Sequence, residues 1–290
     1  MNRTLTGIEG LRVGHWTGRG TGCTVVLAPP EGCLASGAFF GPSPGTREAV
    51  LLEPGKRVDR INAVLLSGGS AFGLAAAQGV VRYCAERGWG YPTRVRPVPI
   101  VPAAILYDLA PGVDPPGEEA GYAACQVATP DPVERGRVGA GCGATAGKYL
   151  DPVPTGVGSA LLEEGGERVG ALAVPNPVGD IWSPEGVLVA GHGAREALLR
   201  SQPGIGHTTL VVVGVEAQIE KSVAYQLAVA AQAALARVIR PSHTPWDGDS
   251  VFILSTARRP LVSLAALFVL VQEVVVEAIL DAARSAASSG

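Results

Sequence analysis

The sequence is sparing in several things at once. Of its 290 residues only 17% are charged and 5% aromatic, methionine occurs once, and the only lysines are Lys56, Lys148 and Lys221. So little charge beside 47% hydrophobic residues implies extensive burial, in a multilayer fold or against further subunits. A formal net charge of -3 argues against a nucleic-acid partner, which calls for a basic face. The five cysteines (Cys23, Cys33, Cys84, Cys125 and Cys142) are odd in number and contain no C-x-x-C pair. That excludes the usual disulfide framework and structural zinc site, and fits reduced thiols in a cytoplasm. The opening "MNRTLTGIEG" has no apolar core of a signal peptide. The most apolar stretch, 261–280, contains Gln272, Glu273 and Glu277. Its uncharged run is too short to cross a bilayer, so it reads as a buried helix. The expectation is a soluble, cytoplasmic protein with no membrane segment.

What the chain does have is punctuation. Strand-like runs "LRVGHWT", "CTVVLAP" and "INAVLLSGG" lead into a helical segment at 71–88, whose apolar residues are spaced for one buried face. A proline-rich strand region follows at 99–110, then a short helix around "PGEEAGYAACQVA". A glycine-dense loop at 136–151 precedes the strand candidates "GVGSALLEE" and "RVGALAVPNP". The last third is simpler. Strand "HTTLVVVGV" feeds a helix at 220–239, and "HTPWDGDSVFILST" feeds the final helix. Glycine and proline separate strands and form no linker, and no internal repeat is present. Mixed strands ending in two strongly apolar helices predict a single α+β layered domain over 1–290, with helices covering sheet faces.

Familiar motifs fail one by one. "GAGCGA" (139–144) fits a dinucleotide-binding glycine pattern, but no buried strand precedes it and no clear helix follows. A phosphate-binding loop would need glycine at position 142 and a hydroxyl at 149, where the chain has Cys142 and Tyr149. His15, His192, His207 and His243 are scattered without metal-ligand spacing. A serine nucleophile elbow is absent, since Ser67 and Ser70 in "LSGGSAFG" stand in the wrong frame.

Other residues carry more. Lys148 ends the glycine-dense loop, a placement that favours a role over a solvated lysine. Asp247 and Asp249 are separated by one glycine. A D-G turn is the plainer account, but in an extended segment the two carboxylates share a side, and paired carboxylates beside a buried strand tend to be functional. Asn176 in "VPNPVG" is a turn residue or a donor to a developing oxyanion. Tyr107 in "AILYDL" is a core aromatic on its own evidence. At "GIGHTTLVVVGV" two threonines stand at the mouth of an apolar strand.

The stretches "LSGGSAFGL", "AAILYD", "GAGCGATAGK", "VPNPVG", "GHTTLVVV" and "HTPWDGDSVF", in that order and spacing, resemble the DmpA-type self-cleaving amidohydrolases, the L-aminopeptidase/D-esterases and β-peptidyl aminopeptidases. The chain is most similar to their nylon-oligomer hydrolase (NylC) branch, over nearly its whole length. The resemblance implies a four-layer αββα sandwich, assembly as a homotetramer, and one inactive chain that cleaves itself before a Thr or Ser. The bond would be His207–Thr208, giving a 1–207 α chain and a 208–290 β chain. Thr208 would then be an N-terminal nucleophile whose own α-amine serves as base, while Thr209 points to the opposite face.

By the same resemblance Asp247 and Asp249 match an acidic pair that orients the nucleophile, and Lys148 matches a lysine of that site. Asn176 matches an oxyanion-stabilising asparagine, and Tyr107 a tyrosine that hydrogen-bonds at the reacting centre. No metal and no organic cofactor is implied. The expected substrate is a small peptide or oligoamide, cut by aminopeptidase or endo-amidase action. The sequence departs from the family at His207, where relatives carry asparagine or glycine. The competing readings are an unprocessed small-molecule-binding or scaffold protein of the same fold, and an acyltransferase.

Overall fold

The first eight residues of the strand Thr208–Gln218 explain the architecture best, because six of them are β-branched. This strand, TTLVVVGVEAQ, is buried from Thr208 to Ala217, as a strand covered on both faces must be. Its side chains alternate between two cores. Val211, Val213 and Val215 join one apolar cluster, and Leu210 and Val212 join another. The neighbouring strands divide in step: Val251 and Ile253 go to the first cluster, Phe252 and Leu254 to the second. The period of two is thus read out twice, once against helices and once against a second sheet.

A computed structural model describes residues 2–201, 204 and 206–288. In it the six-stranded sheet runs in the order Gly158–Glu164, Glu167–Asn176, Thr208–Gln218, Ser250–Pro260, Cys33–Phe39, Arg60–Ile61. Thr208–Gln218 pairs antiparallel with Glu167–Asn176 and parallel with Ser250–Pro260. A five-stranded sheet runs Arg12–Thr17, Gly22–Leu27, Ala63–Ser67, Ala103–Ile105, Thr46–Arg47. The helices Lys221–Val238 and Leu264–Ala287 cover the outer face of the first sheet, and their Leu227, Ala231, Val271 and Val275 lie in its cluster. The helices Ala76–Glu86 and Glu118–Gln126 cover the second sheet, against Val25, Leu27, Ala63 and Leu65. The remaining cluster joins the two sheets, Val26, Val64, Leu66 and Ala104 meeting Leu172, Leu210, Val212 and Phe252. Helix, sheet, sheet, helix: the expected αββα sandwich is the fold.

The final helix is the buried one read at 261–280, and Ser263 caps it by accepting from Ala266 N at 3.2 Å. No helix among the described residues is long and apolar enough to cross a membrane. The thiols of Cys23, Cys33 and Cys84 are pushed up to about 12 by burial.

Two local expectations are corrected. The segment 71–88 is not one helix: Ser70–Ala75 is a tight 3-10 turn and the α-helix starts at Ala76. The chain enters this turn through positive φ at Gly69 and Ser70, conformations that no helix contains. The region 99–110 supplies only the three-residue strand Ala103–Ile105, because Pro99 and Pro102 have no N–H to give to a ladder.

Phe252 is fully buried between the sheets, edge-on to Phe39 with centroids 5.6 Å apart. Phe252→Ala should therefore lower unfolding stability by about 3–5 kcal/mol, measured by urea denaturation.

Candidate active site

Register decides what the site contains. Asn176, the last residue of its strand, pairs directly with Thr208, the first residue of the next. In both strands the even-numbered side chains face the other sheet, as Leu172, Val174, Leu210 and Val212 do. Asn176 and Thr208 therefore lie on the inter-sheet side, at one end of the sandwich, and Thr209 turns toward the helices. The opposite-face expectation for the two threonines follows from this pattern. Directly across, Tyr107 stands two residues past the strand Ala103–Ile105. Its carbonyl accepts from Asn176 Nδ2 at 3.3 Å. The phenol, by contrast, belongs to a ring that remains 42% exposed, so the group that ties Tyr107 to Asn176 is its backbone.

Lys148 leaves the surface. Its Nζ donates to Asn176 Oδ1 at 2.5 Å and to Asn176 O at 3.2 Å. Thr145 N also donates to that Oδ1, at 3.1 Å. Burial pushes the ammonium down to about 7, against the opposing pull of Asp247 and Asp108. A lysine that is about half neutral at pH 7 can accept a proton as well as donate one.

The acidic pair is arranged differently from the extended-strand expectation. Residues 244–247 form a turn in which Asp247 N donates to Thr244 O at 3.0 Å, and the strand begins only at Ser250. The carboxylates consequently diverge. Asp247 Oδ2 accepts from Thr244 N at 2.7 Å and from Thr244 Oγ1 at 2.6 Å. Asp249 Oδ1 accepts from Thr209 N at 2.7 Å, and its Oδ2 faces His243 Nδ1 at 2.8 Å. Burial, followed by the charge of Asp249, raises the Asp247 carboxyl above its ordinary range. Neither carboxylate hydrogen-bonds to the Thr208 hydroxyl; Asp249 fixes the backbone one residue later.

Between them, Gly248 makes the contact that the residue pattern did not reveal. Its N–H donates to the carbonyl of His207 at 2.8 Å, and Thr208 Oγ1 lies 2.5 Å from the same oxygen. A β-carbon on Gly248 would sit 2.9 Å from Thr208 Oγ1 and 2.6 Å from Ser43 O. Glycine is required there by space. Ser43 N holds Asp247 O at 3.0 Å, and Phe40 N holds Asp249 O at 3.1 Å, so residues 40–43 brace the turn from outside. From inside, fully buried Gln232 donates to Ala38 O at 2.7 Å and to Asp249 O at 3.1 Å. Neither this brace nor His243 stood out in the sequence. The glycine between two aspartates was the available signal for a backbone approach.

The structure thus brings Thr208, Asn176, Lys148, Asp247, Asp249 and the Tyr107 backbone to one end of the sandwich. Such an arrangement can polarise the carbonyl of residue 207, present a hydroxyl to it, and offer nearby groups that exchange protons near neutrality. No group of three or more histidine, cysteine or acidic residues suited to a metal ion occurs among the described residues.

A buried hydroxyl set against the peptide bond before it, at the end of an αββα sandwich, is the geometry on which the comparisons bear. The chain belongs to peptidase family S58, whose model matches residues 3–289. It is 40% identical to an uncharacterized aminopeptidase of Mycobacterium leprae (strain TN), over 87% of this chain and 78% of that one. It is 31% identical to the 6-aminohexanoate-oligomer endohydrolase of Kocuria sp. (strain KY2), over 95% of this chain and 84% of that one. Among solved structures, a Burkholderia sp. beta-aminopeptidase superposes with a TM-score of 0.73 at 23% identity, covering 97% and 86% of the two chains. The L-aminopeptidase D-Ala-esterase/amidase of Ochrobactrum anthropi, described as a variant of the Ntn-hydrolase fold, also gives 0.73, at 20% identity over 97% and 85%. The fold is therefore that of an Ntn hydrolase, and the chain is an enzyme of the peptidase and amidohydrolase class.

The His243–Asp249 contact makes one prediction. The Asp249 carboxylate, with Oδ2 2.8 Å from Nδ1, raises the imidazole above its ordinary range, against burial. A raised folded value means that the pair's stabilisation is complete below the ordinary imidazole value of about 6.5 and is lost as pH climbs through the raised one. The stability gap between wild type and His243→Gln, from denaturation at a series of pH values, should be largest below pH ~6 and shrink as pH rises.

Proposed function

We propose that the protein is a self-processing N-terminal-nucleophile amidohydrolase that cleaves its own His207–Thr208 bond and then hydrolyses peptide or oligoamide bonds through an acyl-enzyme on Thr208. The observation that carries this reading is the Thr208 hydroxyl, 2.5 Å from the carbonyl oxygen of the bond it would break, while Gly248 N–H binds that same oxygen.

The chemistry follows in order. Thr208 Oγ1 attacks the His207 carbonyl carbon and passes its proton to the neutral amine of Lys148, while Gly248 N–H supports the negative charge that develops on oxygen. The C–N bond breaks, the nitrogen of Thr208 takes that proton from the Lys148 ammonium, and an ester joins His207 to Oγ1. Water then hydrolyses this ester, leaving a carboxylate on residue 207 and a free amine on residue 208. That amine, with a reference pKa of about 7.7–8.0, suits proton transfer to and from its own hydroxyl at neutral pH. A substrate amide would pass through the same cycle of acylation and hydrolysis, with Lys148 and Asn176 as the polar groups beside the reacting atoms. Thr208 is buried in the intact chain, so self-cleavage comes before access. The names of the relatives, an aminopeptidase and an oligoamide endohydrolase, support amide hydrolysis as the reaction.

Thr208→Ala should remain one intact chain with no amidase activity, whereas Thr208→Ser should cleave. Cleavage followed by gel electrophoresis against pH supplies the second readout. Lys148 becomes neutral as pH rises through about 7, so the self-cleavage rate should rise across that interval and level off above it. Lys148→Met should lose the rise. An alanine variant that still splits at residue 207 would contradict the proposal.

A further inference from the structure

The uncleaved chain shows how it holds its own scissile peptide. His207 is 8% exposed, its backbone forms a bridge with Asp247, and its N–H reaches Trp246 O at 3.3 Å. Its ring nitrogens find no well-formed hydrogen bond. Burial, reinforced by nearby Lys148, pushes the imidazole down to about 4, so the buried ring is neutral at pH 7. The slot therefore holds a ring-sized, uncharged group. An ion of either sign in this buried slot would be stripped of water.

One residue farther from the bond the fit becomes stricter. Gly206 has φ +119°, and a β-carbon on it would stand 2.7 Å from Tyr107 Cγ and 2.9 Å from Tyr107 Cβ. These atoms are at the root of the tyrosine side chain, which cannot swing aside as a flexible tip can. Tyr107 as a whole is 42% exposed.

We propose that the cleft filled by Gly206 and His207 before cleavage is the acyl-side subsite of the cleaved enzyme. It takes an uncharged side chain of ring size or smaller next to the scissile carbonyl and, one residue farther out, a stretch of chain without a side chain against Tyr107. The inference rests on the self-processing reading. In that reading the first acyl-enzyme is the protein's own residue 207 esterified to Thr208, and every later acyl group extends from the same carbonyl carbon, held by the same Gly248 N–H. The shape that accommodates the first must accommodate the rest. Once the ester is hydrolysed, the new terminus can leave the slot, because no well-aligned hydrogen bond holds its imidazole there.

The test uses the cleaved enzyme and three anilides: N-acetyl-Gly-His, N-acetyl-Ala-His and N-acetyl-Gly-Glu. The Gly-His anilide should exceed the other two in kcat/KM by about tenfold or more, the scale of discrimination that one misfitted group gives. In Tyr107→Ala the ratio of Gly-His to Ala-His should fall toward one, a change that a merely structural role for Tyr107 would not produce. Equal kcat/KM for the three anilides, or a glycine preference that survives Tyr107→Ala, would overturn the assignment. If the cleaved protein hydrolyses none of them, self-cleavage itself reads the slot. Gly206→Ala and His207→Glu should each slow it about tenfold or more, and His207→Phe should not; equal rates in all three variants would overturn the assignment. A wild-type chain that never cleaves would instead overturn the self-processing reading, which keeps the two failures apart.

Discussion

The site depends on the fixed register of the strand Thr208–Gln218 between its two neighbours. Antiparallel pairing with Glu167–Asn176 puts Asn176 opposite Thr208. Parallel pairing with Ser250–Pro260 begins at Leu210 and Ser250, which leaves the turn 247–249 beside residues 207–209. A slip of one residue would turn Thr208 toward the helices and send the whole valine run to the wrong core. The heavy burial of this strand is thus more than a source of stability. It removes conformational freedom from the Thr208 hydroxyl, an ordering cost that attack by such a group would otherwise carry.

Around that fixed strand the chain repeatedly uses backbone where a catalytic motif would use side chains. Gly248 donates its N–H to the carbonyl of His207, the Tyr107 carbonyl orients the Asn176 amide, and Asp249 grips the amide of Thr209. Glycine and short loops make such approaches possible, which gives a physical reason for the many glycines. Gly41, for example, has no room for a side chain because the backbone of residues 247–249 lies against it. The glycine-dense loop that mimics nucleotide-binding patterns has a related purpose: Gly143 leaves space for the carboxylate of Asp108, whose charge acts on Lys148. The low content of charge also acquires a meaning. With few competing ions in the interior, Lys148 is displaced toward neutrality by burial, with Asp247 and Asp108 opposing it.

Layering was legible in the sequence because it follows from periodicity: the valine-rich strand, the two apolar helices near the end, and the turn residues between strands. The candidate residues were legible through resemblance, since Asn176, Thr208 and Asp247 lie far apart in sequence and meet only through strand pairing. Local reasoning failed where geometry is not regular. Alternation along an extended segment would put Asp247 and Asp249 on one side, but the turn at Thr244–Asp247 separates them, one carboxylate folding back on Thr244 and the other crossing to His243. His243 itself was indistinguishable from any isolated histidine. Its partner is six residues on, in a turn whose shape no period describes. Gly248 was hidden for a simpler reason, because a main-chain N–H has no letter of its own.

The central claim is that the intact chain is a precursor poised to break one of its own peptide bonds. The most direct measurement is the intact mass of the purified protein under denaturing conditions, fresh and after incubation at neutral pH, with the amino-terminal sequence of any smaller species. The account predicts two fragments that together restore the full chain, the smaller beginning Thr-Thr-Leu. A single species of full length that persists through the incubation, or a break at any other bond, would contradict it.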